Sequence, residues 1–170
     1  MARLPVVTYP DAVLLQKALP VTVFDESVVK LGRDMTETMY AADGVGLAAP
    51  QVGKSLRLIV LDVAADEDRG KSPLALVNPE IVEKDGEVKW DEGCLSLPGI
   101  TVSTKRASRV VVKAQSLTGE PVEVRAEGLL AVALQHEIDH LEGTLLLDHA
   151  SKLRRMSLIR ELRRNRSSDE

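Results

Sequence analysis

A chain of 170 residues with 22 basic and 26 acidic side chains, net charge −4, is the size of one domain with a proper hydrophobic core. It is 44 % hydrophobic but only 2 % aromatic, so that core must be built from Val, Leu, Ile and Ala, and no stretch is apolar for long enough to span a bilayer. The single cysteine, Cys94, excludes an internal disulfide, and the N-terminus has no basic region followed by an apolar one; both point to a cytoplasmic protein with no membrane partner.

Residues 9–20 form a proline-bounded segment expected to be a short helical turn on the surface. From 25 to 43, Val28, Leu31, Met35 and Met39 recur with helical spacing and Gly44 falls where a C-terminal cap belongs. The apolar run 57–63 reads as a buried strand and the charged stretch after it as a loop. Further strands are expected at 74–83, 86–90, 108–117 and 121–126, the last two joined by a hairpin turn at 118–120. Helix returns over 128–141, ended by Gly143, and again from 151 onward. No repeat, linker or boundary interrupts residues 1–170, so one α+β domain is expected, with mixed or antiparallel sheets packed around the 128–141 helix and a helix at the C-terminus.

That helix carries QHEIDH, residues 135–140. His136 and His140 lie roughly 40° apart around the axis and about 6 Å apart along it, so both rings can reach one cation. Glu137 stands on the adjacent flank, placed to reach a water on the ion without ligating it. A surface helix can carry two histidines by chance, but here the flanking residues are apolar and the chain has only three histidines. A catalytic ion usually takes three protein ligands and keeps one position open, so a third is required. Cys94, between Gly93 and Leu95 in WDEGCLSLPG (90–99), is the obvious source. A free cysteine taken alone is more often a small buried apolar residue, yet a thiolate is a strong ligand and the neighbouring glycine lets the backbone come close. The third unusual stretch, GVGLAAPQVG (44–53), follows a helix and opens no βαβ unit, so it is no dinucleotide fingerprint. It reads as a cap and a close-packed turn, in which Gln51 offers one amide that can donate to a substrate carbonyl.

Together, GVGLAAPQ, EGCLS and QHEIDH resemble, in order and spacing, the three motifs of the peptide deformylase family, and YPDAVLLQKALPV is similar to its N-terminal segment. The resemblance covers about residues 9–143. It implies an enzyme that removes the formyl group from formylmethionyl peptides of newly made proteins. Cys94, His136 and His140 would hold one divalent ion, usually Fe(2+) and replaceable by Zn(2+). Glu137 would be the acid/base, and the Gln51 amide and the Leu95 backbone N–H would stabilise the oxyanion. Leu129, Val132 and Ala133, on the face of His136, would line the methionine pocket, and Gly44, Val45 and Gly46 would pair edge-on with the substrate backbone. Thr101 departs from the pattern, since many members carry an arginine there near the substrate entrance.

Two rivals use the same residues differently: a zinc endopeptidase completed by Glu161, and a binding protein with a structural metal and an RNA-binding tail. The tail bears on both. Residues 151–166 hold seven basic side chains (Lys152, Arg154, Arg155, Arg160, Arg163, Arg164, Arg166) against Glu161, a charge of +6, leaving 15 basic and 25 acidic residues, −10, in the remainder. With Leu153, Met156, Ile159 and Leu162 recurring every three residues, this segment is expected to be a helix with a partly apolar face. It would dock on ribosomal RNA near the exit tunnel or, alternatively, pack on the body.

Overall fold

In the computed structural model, which describes residues 2–169 and the side chains of residues 2–165, the chain begins with a 3-10 turn at Ala12–Leu15 and helix α1 (Glu26–Ala41). Strands β1 (Gly46–Ala48), β2 (Leu58–Leu61), β3 (Leu74–Asp85), β4 (Val88–Cys94), β5 (Leu97–Arg106), β6 (Arg109–Gln115) and β7 (Pro121–Glu127) follow. Helices α2 (Gly128–Leu141) and α3 (Lys152–Asp169) complete it. The order β1-β2-β3-β6-β7 makes a five-stranded sheet, β4 and β5 make a separate hairpin, and every pairing of these strands is antiparallel. This is the α+β arrangement that the sequence indicates.

Strand β2 explains its own composition. Leu58 and Val60 face α1, joining Val28, Met35, Met39, Leu47 and Val77 in one apolar cluster. Ile59 and Leu61 face α2, joining Ala131, Ala133, Leu134, Ile138 and Leu141 in another. Side chains alternate along a strand, so one buried on both faces must be apolar at every position. Each such side chain contributes about 1.5–3 kcal/mol relative to exposure. Helix α2, with apolar partners on most sides, is buried from Ala131 to Ile138.

Four local expectations are corrected. The segment 9–20 is not merely superficial, because Leu14 is fully buried against Leu97 and Leu147. The left-handed residue that ends α1 is Asp43 (φ 55°), not Gly44, whose N–H instead reaches back to the Met39 carbonyl at 2.9 Å. Strands β1 and β5 were not foreseen. In β5 the buried residues Ile100, Val102, Thr104 and Arg106 alternate, but polar residues and Pro98-Gly99 mask a period of two. In α3 the core-facing residues are Leu158 and Leu162, with Ile159 beside them, while Leu153 is 81 % and Met156 47 % exposed. A three-residue repeat drifts about 60° per step around a helix, so it cannot hold one face, whereas i and i+4 stay aligned. The side chain of Arg166 lies outside the described residues.

Candidate active site

Two elements that are far apart in sequence meet at the site. Helix α2 brings His136, Glu137 and His140; the β4-β5 hairpin brings Cys94. The atoms of Cys94, His136 and His140 that could hold a metal ion all lie within 4.8 Å of one another. The two rings stand 5.1 Å apart at 61°, and Cys94 Sγ is 3.4 Å from His140 Nε2. Atoms bound tetrahedrally to one ion at about 2.0–2.3 Å stand roughly 3.3–3.8 Å apart, so this donor set fits a divalent metal with one position to spare. Burial pushes the Cys94 thiol up, but His140 and His136 outweigh it and bring it down to about 5, which favours the thiolate that a metal requires. Glu161, on α3, is not part of this group.

Several groups fix these side chains in place. His136 Nδ1 lies 2.8 Å from Glu92 Oε1, which leaves Nε2 as the ring nitrogen available to a metal. Glu92 is buried two residues before Cys94 on β4 and takes two hydrogen bonds from Arg106, at 2.8 and 3.0 Å, and one from the Thr104 hydroxyl. Arg106 continues to Asp139 at 2.6 Å, and Asp139 to His149 at 3.0 Å. This chain of alternating charge was not read from the sequence. Its signal was present, since Glu92 shares a strand face with Cys94 and belongs to the EGC motif.

Gln51 sits in a 3-10 turn (Ala49–Val52), where its Oε1 accepts from the Ala48 N–H at 2.9 Å. Its Nε2 is thereby aimed at Cys94 Sγ, 3.6 Å away, and at Ser96 Oγ, 3.2 Å away. Glu137 is buried, and its Oε1 has no hydrogen-bond partner among the described residues. Burial raises its pKa, and the neighbouring histidines pull the other way. Its other oxygen packs against Gly46, where a Cβ would stand 2.5 Å from Oε2 and displace the carboxylate.

A cleft of about 560 Å³ opens over this centre. Leu129, Val132 and Ala133 line one wall with His136 and Glu137, and Gly44, Val45, Gly46 and Gln51 another; Leu95 and Cys94 belong to the hairpin side. Leu97 and Ile100 add apolar surface that was not anticipated, and Thr101 lies in the lining with Asp43 and Asp91.

The chain matches the model of the polypeptide deformylase family over residues 3–156. It belongs to that family. Peptide deformylase from Desulfotalea psychrophila is 50 % identical over 155 residues, covering 91 % of this chain and 92 % of the relative, and that from Syntrophobacter fumaroxidans is 53 % identical over 156 residues, covering 91 % of each. The crystal structure of a peptide deformylase from Legionella pneumophila superposes with a TM-score of 0.93 at 47 % identity, covering 99 % of this chain and 98 % of that one. That of the Ehrlichia chaffeensis enzyme in complex with actinonin gives 0.91 at 40 % identity, covering 97 % and 98 %. Peptide deformylases are metal-dependent hydrolases that remove the formyl group from the N-terminus of new peptides, and this chain has that activity. No helix among the described residues is long and apolar enough to cross a membrane.

Proposed function

We propose that formyl removal is carried out by Glu137, Gln51 and the Leu95 backbone N–H around one divalent ion held by Cys94, His136 and His140. The observation that carries this is the buried Glu137 Oε1, without a hydrogen-bond partner among the described residues, beside a Cys-His-His cluster at the floor of a cleft. When bound, the ion supplies a Lewis acid and an acidified water for attack on the formyl carbon. Glu137 accepts a proton from the nucleophile and returns it to the departing amine, a role that its raised pKa suits. The Gln51 amide, locked by the Ala48 N–H, donates to the oxyanion together with Leu95 N–H, and Gln51 need not reorganise as charge develops. Leu129, Val132 and Ala133 receive the methionine side chain. A thiolate with two imidazoles suits Fe(2+) and Zn(2+), and we assign Fe(2+) in the cell with Zn(2+) as a substitute.

The open edge of β1 suits the substrate backbone. The Val45 carbonyl accepts from Asp62 N–H at 2.9 Å, so antiparallel alternation turns the N–H and C=O of Gly46 away from β2. Two residues on, the Ala48 N–H points the same way, to Gln51. Pairing through Gly46 would hold a peptide whatever its sequence.

The enzyme works in the cytoplasm on nascent chains, and α3 is its anchor on the ribosome. The exposed Lys152, Arg154 and Arg160 lie on a segment of +6 attached to a body of −10, so approach to RNA is oriented tail-first. Metal analysis of anaerobically purified protein, with formate release from formyl-Met-Ala, tests the centre. Cys94→Ala should lose metal and activity while Glu161→Gln keeps both; the reverse result would favour a peptidase-type site.

A further inference from the structure

The loop after β2 reaches back to the rim of the cleft through one side chain. Arg69, half-buried, donates from Nη2 to the Gly44 carbonyl at 2.6 Å and from Nη1 to the Asp62 carbonyl at 3.1 Å. Its guanidinium carbon lies 4.9 Å from the centroid of the Tyr40 ring. The loop is itself tied down by buried Asp62, whose carboxylate accepts from Ala64 N–H at 3.0 Å, Gly70 N–H at 2.8 Å and the Tyr40 hydroxyl at 2.5 Å. One planar fork therefore bridges the end of β2 and the segment that joins α1 to β1.

Gly44 immediately precedes the Val45–Gly46 edge that lines the cleft. Strand β1 is three residues long and lies at the border of the sheet, so its only strand neighbour is β2. From Gly46 onward β2 sets its register; the approach to it is held by Gly44 N–H on the Met39 carbonyl, by Asp62 N–H on the Val45 carbonyl and, on the Gly44 carbonyl itself, by Arg69. Without the latter, the Gly44 peptide regains freedom that a bound substrate would have to remove.

We propose that Arg69 is a positioning residue for the peptide portion of the substrate, fixing the Gly44 peptide so that the donor and acceptor of Gly46 stand in place before the substrate arrives. This rests on the reading of Gly46 as the substrate-pairing edge. Arg69 does not touch the reacting atoms, and Glu137, Cys94 and both metal-ligating histidines lie on other elements. Its loss is therefore a cost in peptide affinity rather than in turnover. Lysine can reach one carbonyl but not both, so Arg69→Lys should fall between wild type and Arg69→Met.

The test is steady-state kinetics of wild type, Arg69→Met and Arg69→Lys, each checked for metal content and thermal unfolding, on two substrates. Formyl-Met-Ala-Ser can pair along the edge, and formyl-methionine has no peptide group beyond its side chain. Arg69→Met should raise KM for the tripeptide about tenfold, the scale of one charge-assisted hydrogen bond, with kcat and the KM for formyl-methionine within about twofold. An unchanged tripeptide KM, an equal loss on both substrates, or a fall in kcat alone would overturn the proposal. Should Arg69→Met not fold, Arg69→Lys carries the same comparison. A tripeptide N-methylated after methionine separates the two readings. If wild type binds it as tightly as the parent, the edge reading itself fails. If wild type rejects it while the Arg69 variants keep the parent KM, only the role of Arg69 falls.

Discussion

His136 Nδ1 meets Glu92 Oε1 at 2.8 Å, and Arg106 grips both oxygens of that carboxylate. The contact selects which imidazole nitrogen keeps its proton and so which faces the cluster with Cys94 and His140. Glu92→Gln keeps the shape but removes the charge that orients the ring. Metal affinity, read by competition with a chelator, should drop about 10- to 100-fold, the usual scale for such partners. Unchanged affinity in a folded variant would mean that packing alone holds His136.

The same network predicts an acid limb of stability. Burial pushes the Glu92 carboxyl up, but hydrogen bonds from His136, Arg106 and Thr104 outweigh it and hold it at about 2, against an ordinary 4.5. A carboxyl depressed in the folded state stabilises fully above its unfolded value and loses that contribution as pH falls from about 4.5 toward 2. Asp139 adds to this, since His149 and Arg106 lower it against its burial. Thermal unfolding with chelator present should therefore fall steeply below about pH 5. Glu92→Gln should be less stable at neutral pH and show a shallower acid limb; parallel pH curves would contradict the assignment.

Glu137→Gln should retain the metal and lose at least ~10²-fold in turnover, as expected when a general base is removed. Gly46→Ala approaches the same carboxylate from outside, because its Cβ would stand 2.5 Å from Glu137 Oε2. It should lower kcat while metal content stays near normal. Normal turnover in the metal-loaded Gln variant would remove Glu137 from the proton path.

Leu158 and Leu162 of α3 pack on Leu97, Ile100 and Val102 of the hairpin that carries Cys94. Leu158→Ala should cost about 2–5 kcal/mol in a denaturant titration. Truncation after Ala150 would uncover this apolar surface as well as delete charge, so Lys152→Glu with Arg160→Glu is the cleaner test of ribosome docking. That double variant should release formate from free formyl-Met-Ala normally, yet lose co-sedimentation with ribosomes at low salt, and wild-type binding should weaken steeply as salt rises. Equal co-sedimentation of variant and wild type would exclude these charges as the anchor.

The sequence by itself determined which residues make up the Cys-His-His cluster that could hold a metal. His136, Glu137 and His140 are neighbours on one turn of helix, so their spacing states their geometry, and Cys94 is the only thiol in the chain. The long helices and the apolar strand β2 were legible for the same reason: period and composition are local properties. Only the tertiary structure decided what surrounds that cluster. Glu92 and Arg106 find each other across a hairpin, and β5 hides its period beneath a serine, two threonines and a Pro-Gly pair. Arg69 looks like one charge in a surface loop until the fold lays it on the carbonyl of Gly44, 25 residues away in the chain. The inward face of α3 depended on where β5 lies, because a helix with scattered leucines can present more than one face until a partner surface selects it.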